Sequence, residues 1–115
     1  MRVKKGTVLY QMHPSIDLIL EDGNVLDNVF NEFANRDCIV TAGRNGKHRG
    51  RGHKKGSRHY HGEAVDLRTN DLERDVADTC CEEIQMRLLG YHVVLEAADT
   101  PNEHIHVEVR HGEVG

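Results

Sequence analysis

The chain has 115 residues, a net charge of −4 and 37% hydrophobic residues, with no tryptophan and two phenylalanines. That length holds one modest core rather than two, and the core has to be aliphatic. No apolar run approaches the ~20 residues of a membrane span, so one soluble domain over 1–115 is expected, with no membrane partner. The opening stretch "MRVKKGTVLYQMHPS" is basic but lacks the apolar segment of a secretory signal. The expectation is a chain made in the cytoplasm that reaches the outside only if released or exported by another agent. Residues 15–35 carry apolar side chains at helical spacing in two blocks, Ile16–Leu20 and Val25–Phe33, broken at Asp22 and Gly23. "DCIVTAG" (37–43) reads as a short β-branched strand. A long glycine-rich loop follows (44–62), then the alternating strand "EAVDLRT" (63–69).

Leu72, Val76, Cys80, Ile84 and Leu88 recur at four-residue steps, which predicts a helix over 70–90 with Thr69 or Asn70 as N-cap and Gly90 at its stop. "YHVVLEA" (91–97) and "HIHVEVR" (104–110) read as strands joined by the turn "ADTPNE". Helices and strands mix without regular βαβ alternation, so the expected fold is α+β, with a small, largely antiparallel sheet and flanking helices. Cys38, Cys80 and Cys81 make no CxxC spacing, which argues for reduced core or boundary residues rather than a zinc ribbon or redox site.

Charge is unevenly spread. From Cys38 to Gly62 there is no acid, while Arg44, Lys47, Arg49, Arg51, Lys54, Lys55 and Arg58 are all basic. A cationic loop (44–58) on an acidic body is drawn to anionic partners, an anionic cell-wall polymer or nucleic acid, unless it is simply a solvated insertion. Nucleic acid is the weaker candidate, because no aromatic residue except Tyr60 accompanies the loop.

Nine histidines in a chain this short is a high count, and they cluster in "SRHYHGEAVDL" (57–67) and "EHIHVEV" (103–109). Residues two apart on a strand share a face. Ile105, Val107 and Val109 therefore face the core, and His104, His106 and Glu108 the other side. By the same rule Val65 and Leu67 point inward, with Ala64 and Asp66 opposite, the small alanine leaving room above the sheet. Gly62 lets His59 fold back, so His59, Asp66 and His106 can converge if the two strands are neighbours. Two imidazoles and a carboxylate suit one Zn²⁺ per chain, with an open position of the kind catalytic sites keep. HExxH is absent, so this is not the helix-borne zinc peptidase pattern.

"SRHYHGEAVDL" resembles the SxHxxGxAxDL signature of the D-Ala-D-Ala carboxypeptidase and hedgehog-type zinc peptidases. "EHIHVEV" resembles their closing (D/E)xxH and HxH element, and "TAGRNGKH" is similar to a stretch of small phage members. The resemblance spans roughly 38–110. It implies a zinc peptidase acting on bacterial peptidoglycan, with His59, Asp66 and His106 as metal ligands and Glu103 as general base. His104 would bind substrate or the oxyanion, and Arg44 a substrate carbonyl or carboxylate. His48, Ser57 and Tyr60 would line the substrate side. The extended turn "AADTPNE" leaves Glu96 and Asp99 as competitors for the base role, and Glu103 serves only if it lies before regular strand pairing begins, since a strict strand would point it away from His104. Exo and endo action stay open. A non-catalytic hedgehog-like zinc-binding module is the first alternative, and a nucleic-acid binder using the basic loop the second.

Overall fold

The computed structural model describes residues 1–21, 24–44 and 61–110. In chain order the elements are β1 (Arg2–Val3), α1 (Pro14–Ile19), α2 (Val25–Phe33), β2 (Ile39–Ala42), β3 (Ala64–Arg68), α3 (Arg74–Arg87), β4 (Tyr91–Glu96) and β5 (His104–Val109). The five strands form one mixed sheet in the order β1-β2-β3-β5-β4. β1 runs parallel to β2, and the other three pairings are antiparallel. The fold is thus a small α+β domain with flanking helices, and the antiparallel expectation holds except at β1. Among the described residues no helix is long and apolar enough to cross a membrane.

Local chemistry sets the element ends. Pro14 occupies the first turn of α1, and the Nδ1 of His13 accepts the Ser15 N–H at 3.0 Å. The side chain of Asn24 caps α2 by accepting the Asp27 N–H at 3.1 Å. The cap expected at Thr69 or Asn70 lies elsewhere: α3 starts after Glu73, which makes no side-chain cap bond. Asn70 instead donates to the Pro101 carbonyl at 2.7 Å and ties the approach to α3 to the β4–β5 turn. Arg36 grips Asp71 through two hydrogen bonds of 3.0 and 2.9 Å, donates to the Arg68 carbonyl at 2.9 Å, and lies over the Phe30 ring. That arginine pins the end of β3 to the α2–β2 corner.

Leu26, Val29 and Phe30 of α2 and Cys80 and Ile84 of α3 join Val65, Leu67, Ile105 and Val107 in one core. β5 alternates strictly, with Ile105, Val107 and Val109 buried and His104, His106 and Glu108 half-buried. A one-residue slip would bury two imidazoles and a carboxylate and expose three aliphatics, each worth ~1.5–3 kcal/mol when buried. The core therefore fixes the register that lines up the polar face.

Candidate metal centre

β3 and β5 are direct neighbours, with Asp66 paired to His106, Arg68 to His104 and Ala64 to Glu108. On the other side of β5, β4 places Val94 beside His106 and Glu96 beside His104. The polar face is thus a short grid: Arg68, His104 and Glu96 in one row, Asp66, His106 and Val94 in the next. β2 contributes Ala42 opposite Asp66, where a register shift between Val40 and Ala42 bends the ladder.

Side chains close across this grid. Asp66 Oδ1 lies 3.0 Å from His106 Nδ1, although the two residues are forty positions apart. Glu108 Oε1 takes the other ring nitrogen, Nε2, at 2.7 Å. The Nδ1–H of His104 donates to the Asn102 carbonyl at 2.7 Å, which turns its Nε2 towards Glu96 at 3.0 Å and Asp66 Oδ2 at 3.7 Å. The His104–Glu96 contact needs one proton between its partners. Burial pushes the His106 imidazole down, yet hydrogen bonds to Asp66 and Glu108 and the charges of Asp66 and Glu96 outweigh it and raise it to about 9. Three carboxylates around two imidazoles make a field that favours a cation.

Three expected site residues, Asp66, His104 and His106, are brought together. His59, His48, Ser57 and Tyr60 lie outside the described residues, as does most of the basic loop 44–58. Among the described residues no group of three His, Cys, Asp or Glu side chains is arranged to hold a metal ion. What remains of the expected ligand set is the pair Asp66 and His106. A carboxylate and an imidazole nitrogen facing each other at 3.0 Å are donors of the type zinc takes, and Glu108 on Nε2 supplies the outer partner that orients a ligating histidine. Glu108 carried no role in the sequence reading, though its place two residues after His106 on the same face was the available signal.

Glu103 does not join this group. It precedes the first residue of β5 and faces the helix side, 6% exposed, where Oε1 accepts the Asp99 N–H at 2.9 Å and lies 3.5 Å from Arg74. Its Oε2 is buried with no hydrogen-bond partner among the described residues. Asp99 is likewise drawn away, to Arg74 at 3.1 Å. Of the three acids weighed for the base role, Glu96 is the one beside His104.

One further expectation needs correction. Ala64 was to leave open room over the sheet, but it is fully buried. Arg44 follows β2, and its Nη1 donates to the Gln11 carbonyl at 3.0 Å and packs against Gly62, two residues before β3. Gly62 has φ +74°, and a Cβ there would stand 2.8 Å from that nitrogen and 3.0 Å from the Gln11 oxygen. Only glycine meets both demands. Comparison with family models, with curated proteins and with solved structures finds no match for the chain.

Proposed function

We propose that the protein is a zinc-dependent peptidase of the hedgehog and D-Ala-D-Ala carboxypeptidase type, acting on peptides of bacterial peptidoglycan. The observation that carries the reading is the 3.0 Å approach of Asp66 to His106 across β3 and β5, with the His104–Glu96 pair in the adjoining row. Asp66 and His106 would hold the ion, with His59 as the expected third ligand and Glu108 fixing the His106 ring. Bound zinc would supply an acidified water and polarise the scissile carbonyl.

The chain's own residues would do the proton work. Glu96, beside His104, would take a proton from the attacking water and return it to the leaving amine. His104, its ring fixed by the Asn102 carbonyl, would donate from Nε2 to the developing oxyanion. Such a donor acts best when it is already oriented, as the two contacts on this ring ensure. The basic loop would recruit the anionic wall and be dispensable for bond cleavage.

The test is digestion of purified peptidoglycan with identification of the released fragments by mass, alongside metal analysis of the purified protein. Near-stoichiometric zinc lost in His106→Ala and Asp66→Ala, together with new peptide termini, is the expected result. Zinc without cleavage of any wall peptide would leave the binding-module alternative. Full zinc retention in both variants would remove the site itself.

A further inference from the structure

A cleft of about 310 Å³ opens at the end of β3, lined from several elements at once. Lys4 comes from just after β1, Arg68 from the last position of β3, Asn70 from just beyond it, and Asn102, Glu103 and His104 from the approach to β5. Arg68 lies opposite His104 on the ladder, two residues along from the Asp66–His106 pair. The cleft therefore begins one row beyond the candidate metal centre, roughly 6.6–6.8 Å along the strand. Its side chains keep open hydrogen-bonding capacity of both kinds. Those of Lys4, Arg68 and Asn102 make no hydrogen bond or ion pair among the described residues. Asn70 commits its amide nitrogen to the Pro101 carbonyl, which leaves its oxygen as an acceptor. Glu103 engages the Asp99 N–H and Arg74 through Oε1, and its Oε2 is buried with no hydrogen-bond partner among the described residues. A buried acceptor without a donor is destabilising. Three donor groups and three acceptor oxygens thus surround one small space.

That mixture selects against simple ions. An anion on Lys4 and Arg68 would leave the acceptors unmet and lie beside the Glu103 carboxylate. A cation on Glu103 would face Lys4 and Arg68. A peptide backbone brings one N–H and one C=O per residue, spread over ~3.3–3.6 Å of chain, which is too sparse for six groups around one space. A sugar ring carries hydroxyls on adjacent carbons, and each hydroxyl both donates and accepts. We infer that this cleft seats one sugar ring of the wall glycan, so that the protein takes a sugar-bearing peptide rather than a bare one; the choice of the wall as its source rests on the peptidase reading above. The volume lies at the small end of ligand sites, which suits a single ring. With the ring beyond His104, the peptide attached to it runs back along the polar face to Asp66 and His106. The sugar is then read by Arg68, Asn102 and Glu103, and the peptide by the row that holds the ion.

The probes are N-acetylmuramyl-L-alanyl-D-isoglutamine, the dipeptide L-alanyl-D-isoglutamine, N-acetylglucosamine and inorganic phosphate, each titrated into ¹⁵N-labelled protein. Backbone signals of Arg68, Asn102 and Glu103 should move with the sugar-bearing peptide. The bare dipeptide should bind about tenfold more weakly, the range expected for losing one or two hydrogen bonds to charged groups. Free N-acetylglucosamine should move the same signals but also bind more weakly, because the linked peptide engages the neighbouring row. Arg68→Gln and Asn102→Ala should each narrow the difference between sugar-bearing and bare peptide. Asn102 is exposed and its side chain makes no contact of its own, so its variant carries the test should Arg68→Gln fail to fold. No binding of the sugar-bearing peptide, equal binding of the bare dipeptide or of the free sugar, phosphate bound as tightly, or an unchanged difference in the folded variants overturns the inference. The peptidoglycan digest reports cleavage separately. Released fragments without a sugar preference keep the peptidase reading and lose this one. A sugar preference without released fragments does the reverse.

Discussion

Glu96 and Glu103 flank one turn and face opposite sides of the sheet. Glu96 closes β4 on the histidine face, 3.0 Å from His104, whereas Glu103 is buried towards α3. Glu96→Gln keeps the shape but cannot accept a proton, so it should retain zinc and lose ~10²–10⁴-fold in turnover of a wall peptide. Glu103→Gln should keep turnover within a few fold. The opposite pattern in steady-state rates would return the base role to Glu103. The E-x-x-H spacing that singled out Glu103 was plain in the sequence; the turn that redirects it was not. Ala97 and Asp99 both adopt positive φ, at 53° and 63°, without being glycine. Thr100 Oγ1 then donates to the Ala97 carbonyl and accepts the Asn102 N–H, so local polar contacts shape the turn and aim the Asp99 N–H at Glu103. Such positions have no residue signature of the kind glycine gives. Glu108 belongs to the same scale. If His106 holds zinc as proposed, the Glu108 carboxylate on its other ring nitrogen would orient it, and Glu108→Ala should weaken zinc affinity ~10–100-fold with little change in the fold. Competition with a chelator of known affinity reads this directly, and an unchanged affinity would make the His106–Glu108 contact incidental.

At the level of elements, the strongly periodic segments were legible and the short or cap-dependent ones were not. β5 and β3 alternate, and α3 repeats every four residues, because each buries one face against the core. β1 is only two residues long and borrows its order from backbone bonds of 2.8 Å, Arg2 N–H to the Cys38 carbonyl and Lys4 N–H to the Val40 carbonyl. Nothing in Arg2 or Val3 announces that pairing. The same edge explains Gly43. A Cβ there would stand 2.4 Å from the Val8 oxygen and 2.5 Å from Leu9 Cδ2, so the strand end and the Val8 segment meet only through glycine. That approach permits the Arg44 N–H to reach the Val8 carbonyl at 2.6 Å. Gly43→Ala should cost ~1–3 kcal/mol in denaturant unfolding, as overpacking does, and displace Arg44. Gly90→Ala, with nothing within 4 Å of the added atom, is the control and should stay within ~0.5 kcal/mol. Equal midpoints for the two variants would mean the Val8 segment yields freely.

For the molecule as a whole, the core is mainly aliphatic as composition foretold, with Phe30 as its largest fully buried side chain, and it takes the cysteines with it. Cys38 and Cys80 are fully buried and Cys81 half-buried, all three free thiols. Adjacent positions 80 and 81 differ because α3 turns one to the sheet and the next to its flank, a distinction helical period alone provides. Burial pushes the Cys38 thiol up, aided by the charge of Asp27, and raises the Cys80 thiol to about 11. Cys81 is raised as well, again chiefly by burial. Thiolate is the reactive form, so at neutral pH a thiol reagent should label Cys81 first. Cys38 and Cys80 should follow only as fast as the whole domain opens, since each packs among residues of α2, α3 and the sheet. Their shifts also set a sign for stability. An unfolded thiol ionises near its ordinary value of 9.0, while the folded thiols hold their protons to higher pH. Between those values the native state binds more protons than the unfolded state, so stability falls as pH rises. Below about pH 9 both states are protonated and these groups contribute no slope. Denaturant midpoints from pH 8 to 10.5 should therefore decline for the native chain. The decline should be shallower in a Cys38→Ala, Cys80→Ala double variant, measured relative to its own midpoint at pH 8. Parallel curves for the two proteins would show that other groups govern the alkaline limb, and early labelling of Cys38 would show that the α2–β2 corner opens without the rest.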